Sequence, residues 1–193
     1  IIMKNSFLII ILMTFLNSFS QESKDFIKSE QYYLTEIDSL TIKKYWENFQ
    51  TENSPEPISI YLKNNNGQSL YEIKISELEF YRGTTVEILN VDNLKNVEQI
   101  IRLKSGYDTC CSNYYSTYLL KTKDGNLIEL PESEYLHCDG PTPITEYRFP
   151  NQKFGIKNQI LLTKSILNEN YEVESIKVVK TYSWNGKTFE LKK

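Results

Sequence analysis

The chain has 193 residues, a formal net charge of −3, 40% hydrophobic and 13% aromatic residues. That length and composition fit one globular domain able to bury a core. They exclude a nucleic-acid footprint, which needs clustered cations: arginine occurs only at Arg82, Arg102 and Arg148, and the lysines are scattered.

The first twenty residues read as a leader rather than as fold. Lys4 follows Met3, an apolar run extends from Phe7 to Leu16, and small residues stand at Ser18 and Ser20 before Gln21. A short basic start, an apolar stretch and a small-residue cleavage site are the three parts of a secretory signal. The run is shorter than the roughly 20 residues that span a bilayer. Cleavage after Ser20 is the expectation, with export to a periplasmic or extracellular compartment and no stable membrane span afterwards. The chain then divides into a leader (1–20), a lead-in and helix (21–57) and an antiparallel β domain (58–193).

Residues 22–36 are polar and mixed and read as a loosely held lead-in. Ser39 to Gln50 reads as a helix: Asp38 or Ser39 can cap it, and Ile37, Leu40, Ile42, Tyr45, Trp46 and Phe49 recur near helical spacing. Pro55 and Pro57 forbid its continuation. After Pro57 the period changes to two. Ile58, Ile60 and Leu62 alternate with polar neighbours, Asn64-Asn65-Asn66-Gly67 turns the chain, and Tyr71, Ile73 and Ile75 return. Further strands are expected over 84–91 and 99–104, the latter with Ile101 and Leu103 opposed by Arg102 and Lys104, and a short helical turn between them.

Residues 114–122 and 126–130 flank Lys123-Asp124-Gly125, a strong hairpin signal. Strands follow over 144–149 and 159–167. The run 171–184 is long and rich in β-branched and aromatic residues, and Asn185-Gly186 folds it back onto 187–191. Strands joined by short turns, without alternating helices, predict a mainly β fold: an antiparallel meander, sandwich or barrel-like arrangement with one N-terminal helix packed on it.

Cys110, Cys111, Cys138 and the single histidine, His137, fall in two short loop-like segments. In an oxidising compartment cysteines pair. Cys138 would join Cys110 or Cys111, closing a loop of about 27 residues worth roughly 3–4 kcal/mol in the chain-entropy model. A zinc site would use the same four residues, but adjacent ligand pairs leave too little backbone to wrap a tetrahedral ion. Cysteine catalysis with His137 would need a lowered thiol pKa, and the flanks show no setting for one. No cofactor motif is present.

Paired acids such as Glu77 and Glu79, or Glu129, Glu132 and Glu134, are the material for a small hydrolase or carbohydrate-active domain. In strands and turns such charges usually form a solvated face. Fourteen tyrosines are the most suggestive feature. Tyr107, Tyr114, Tyr115 and Tyr118 crowd around the first cysteine segment, and Tyr135 and Tyr147 flank the second. Tyr gives large amphipathic contact area and is enriched at binding sites. These six residues are therefore the candidate edge of a non-enzymatic module for a protein or glycan partner, the competing role being core packing.

Overall fold

A computed structural model describes residues 25–51, 55–108, 112–131, 143–170 and 172–192. The expected leader lies outside these residues. Twelve strands and one helix follow in chain order: β1 (Ile27–Lys28), β2 (Tyr32–Leu34), α1 (Ser39–Gln50), β3 (Ile58–Asn64), β4 (Ser69–Ile75), β5 (Tyr81–Asn90), β6 (Val97–Asp108), β7 (Ser112–Thr122), β8 (Leu127–Glu129), β9 (Ile144–Arg148), β10 (Gln159–Leu167), β11 (Val173–Trp184) and β12 (Phe189–Leu191). Every pairing is antiparallel. Among the described residues, the mainly β fold with a single helix is thus the observed class. Among the described residues no helix is long and apolar enough to cross a membrane.

The strands form three sheets, ordered β1-β5-β6-β7-β8, β12-β11-β10-β9 and β2-β3-β4. The five-stranded sheet is the shared middle layer. One of its faces supplies Leu89, Ile100, Tyr118 and Leu120 to a core completed by Tyr147, Phe149, Ile160, Leu162, Tyr182 and Trp184 of the four-stranded sheet and its loops. The other face supplies Val86, Ile88, Ile101, Leu103 and Leu119 to a core completed by Tyr32 and Leu62 of the three-stranded sheet. Because strand side chains alternate, neighbours such as Ile100 and Ile101 enter different cores.

The lead-in is held more firmly than its composition suggests. Lys28 pairs with Glu87 and Tyr33 with Lys63, so β1 and β2 join different sheets. Phe26 packs on the first core, with the Arg102 guanidinium 4.1 Å above its ring. The helix begins where Asp38 accepts from the Thr41 amide at 2.9 Å, a side-chain cap. Only Tyr45 of α1 is buried; its hydroxyl donates to Glu79 at 2.6 Å and accepts from the Leu78 amide. Residues 92–98, read as a short helical turn, instead form bends and a turn over 92–96 and enter β6 at Val97. They tie two layers together: the Trp184 indole donates to the Lys95 carbonyl at 2.6 Å, and the Asn96 amide donates to Asp124 and Gly186.

The outer layer has two unusual features. Arg148 is 4% exposed. It is paired with Glu146 and donates to Ser165 and to the Lys153 carbonyl. In β11, Leu162 pairs with Lys180 and Thr163 with Val178, so Val179 is an extra residue; Glu174 is another, between Ser175 and Val173. Among the described residues, Val173–Lys180 pair only with β10, because β12 covers only the far end of β11.

Two substitutions test this packing. A Cβ on Gly155 would lie 2.0 Å from the Phe149 carbonyl oxygen. Gly155→Ala should cost about 1–3 kcal/mol or more in urea unfolding, the range of overpacking. Glu146→Ala strands the Arg148 charge and should cost about 3–5 kcal/mol in the same measurement.

Candidate functional site

The β6–β7 hairpin and the adjoining start of β5 carry the aromatic cluster. Tyr81 pairs with Tyr107, Gly106 with Tyr114 and Ser105 with Tyr115. Tyr107 and Tyr115 lie on the face of the middle sheet that continues from Ile101 and Leu103. The Tyr81, Tyr107 and Tyr115 rings follow one another, with centroids 5.6 and 5.3 Å apart. The second contact is edge-to-face, the favoured arrangement of aromatic quadrupoles. Beneath them the Tyr81 hydroxyl bonds Thr84 at 2.8 Å, and Thr84 bonds Ser105 at 2.7 Å.

Tyr114 is next to Tyr115 in the chain and therefore projects from the opposite face. Its ring lies against Gly106, where a Cβ would be 3.3 Å from the ring carbon Cε1. The Lys104 ammonium stands 4.3 Å from its centroid. Glycine opposite an aromatic side chain is a known way of covering a bare stretch of strand. Tyr114 remains 64% exposed and Tyr115 44% exposed. Exposed tyrosine thus flanks both faces of one strand end. Beside them Phe80 is 37% exposed, and Arg82 meets Asp108 at 2.8 Å. That ion pair is solvated and contributes less than about 1 kcal/mol, so its part is to order the rim.

The six candidate tyrosines do not form one surface. Tyr118 and Tyr147 are 2% and 1% exposed, their rings 5.3 Å apart in the first core. Tyr147 donates to the Pro131 carbonyl at 2.8 Å. Burial raises the Tyr118 phenol above its ordinary range, and the Arg102 guanidinium opposes that shift. These two residues are core, because sheet layers cover them; Tyr107, Tyr114 and Tyr115 remain as the tip. Tyr135 lies outside the described residues, as do Cys110, Cys111, His137 and Cys138. The cysteine pairing and metal readings therefore concern residues the structure does not describe.

Tyr81, Phe80, Arg82 and Asp108 were missed in the sequence. Their signal was the glycine pair Gly83 and Gly106, which fall opposite each other once β5 and β6 are in register. Of the carboxylates weighed as catalytic, Glu79 is engaged by Tyr45, and Glu129 pairs across the strands with Leu119. Glu132 and Glu134 lie outside the described residues.

Burial, with the nearby Tyr81 and Glu77, pushes the Tyr107 phenol up from 10.0 to about 12. The protonated form is the one the fold favours. This contribution is complete below pH 10 and is lost as pH rises through about 12. Ultraviolet titration should show several late-ionising phenols, with Tyr118 and Tyr147 among them. Tyr107→Phe should remove one phenol's worth of the absorbance change near pH 12, and the fall in stability across that window should shrink in the same variant. No family model, no curated protein and no solved structure matches the chain.

Proposed function

We propose that this chain is an exported, non-enzymatic binding module that grips a protein partner with the tyrosine-covered tip of β6 and β7. One observation carries the reading. Tyr114 and Tyr115 are consecutive, exposed and on opposite faces, yet each is held in place. Gly106 and Lys104 hold the first, and the Tyr107 ring supports the second.

Exposed rings cost little conformational entropy to immobilise, and these are already ordered by their neighbours. A strand end with rings on both sides suits insertion between two walls of a partner, each ring supplying a buried anchor. The Arg82–Asp108 pair supplies the polar rim that surrounds such anchors. A hydrolase would need two carboxylates facing each other across a cleft. Export rests on the leader pattern, whose cleavage would leave Gln21 as the first residue.

Capture from the native extracytoplasmic fraction tests the reading. The wild-type protein should retain a defined protein in stoichiometric amount, and Tyr114→Ser with Tyr115→Ser should lose it at least tenfold with an unchanged melting temperature. Equal capture by both proteins would refute the tip as the contact. A cytosolic product that still carries the apolar run would refute export.

A further inference from the structure

A second region of the same sheet, at the other end of β7, has its own chemistry. A groove of about 370 Å³ opens between the β3–β4 turn and the β7–β8 hairpin. That volume falls within the roughly 300–1,000 Å³ of small-molecule sites. Five side-chain amides line it: Gln31, Asn64, Asn65, Asn66 and Gln68. Among the described residues that line it there is no carboxylate. The one cation among them, Lys121, is 3.2 Å from Glu98 and hydrogen-bonds Tyr32, so its charge is already matched.

The amides are wired in a regular way. Asn64 accepts from the Asn66 and Gln68 backbone amides and donates to the Gln68 side-chain oxygen at 3.2 Å. That holds the Gln68 oxygen and leaves its NH2 unused among the described residues. Gln99, buried in the middle sheet, donates to the Gln31 oxygen at 3.5 Å and to Asn90 at 3.1 Å. The Gln31 NH2 is likewise unused among the described residues. Asn65 is the complement: its NH2 donates to the Glu30 carbonyl at 3.4 Å, and its oxygen is the unused end. The Asn66 side chain has both ends unused among the described residues.

We infer that this groove binds a neutral saccharide. Three amides are each tied by one end and open at the other, so both donors and acceptors are oriented before a ligand arrives. A sugar hydroxyl donates and accepts at once, which an amide pair matches in both directions. Leu70 and Leu127 offer apolar surface to the C–H face of a ring. An anionic ligand would need a cation whose charge is not already matched. A peptide strand would pair with backbone at a sheet edge, whereas the unused groups here are side chains. This inference is independent of the tyrosine tip, since it uses different residues at the far end of the strand.

The test is a nitrogen-15 NMR titration of the protein with chitotetraose, cellotetraose and maltotetraose, and with tetragalacturonate as the acidic counterpart. The side-chain NH2 resonances of Gln31, Asn65, Asn66 and Gln68 are read. At least one neutral tetrasaccharide should shift them saturably, with a Kd of about 1 mM or tighter. Asn66→Ala with Gln68→Ala should weaken that binding about tenfold without moving the melting temperature. The inference is overturned if no neutral probe saturates, if only tetragalacturonate binds, or if the double variant binds as well as wild type.

Discussion

The structure depends on a sheet that is apolar on both faces. β6 places Ile100 in one core and Ile101 and Leu103 in the other, all nearly inaccessible to water. Each such side chain is worth about 1.5–3 kcal/mol when removed from water, an upper figure because unfolded chains are partly compact. That gain is realised only when layers cover the sheet on both sides. The three-stranded sheet and the four-stranded sheet are therefore obligatory lids. Arg102 shows how a polar residue survives between them. It meets Glu87 at 2.5 Å, lies over the Phe26 ring and hydrogen-bonds Tyr118. A cation in so dry a place is tolerated only with partners of this kind.

What could be read from the sequence was what nearby residues decide. Asn64 to Gly67, Asp124-Gly125 and Asn185-Gly186 each turned the chain where turn chemistry places them, and Gly67, Gly125 and Gly186 adopt φ of 78°, 84° and 104°. The helix bounds followed from Asp38 and the prolines. The layering could not be read this way. Ile101 and Leu103 against Arg102 and Lys104 look like a strand with one wet face, because alternation does not reveal that Arg102 is paired in the interior. β1 and β2 are two and three residues long, too short to leave a period.

The tyrosines show the same limit more sharply. Tyr114 and Tyr118 share a strand and a face. Tyr118 meets Tyr147 and Phe149 of the layer above, whereas Tyr114 lies against Gly106 of its own sheet with the Lys104 ammonium over its ring. Their difference lies in where the upper sheet stops, which no local pattern encodes. The amides hid for another reason: a run of asparagines satisfies turn preferences so well that its unused hydrogen-bonding ends pass unnoticed. Tip and groove stand about seven residues apart on β7, or roughly 24 Å at strand spacing, so a rigid rod separates them.

β11 determines how the stack ends. Among the described residues it is the outermost strand over Val173–Lys180, with Val178 and Val179 substantially exposed. A straight edge of that length would recruit other chains one strand at a time. The extra residues at Glu174 and Val179 break the outward ladder of backbone groups into short stretches, and Lys177 and Lys180 place charge beside them. The layered body is thereby given a border that resists templated growth into fibrils. On crowding, chains would then meet through side chains rather than through a shared backbone ladder.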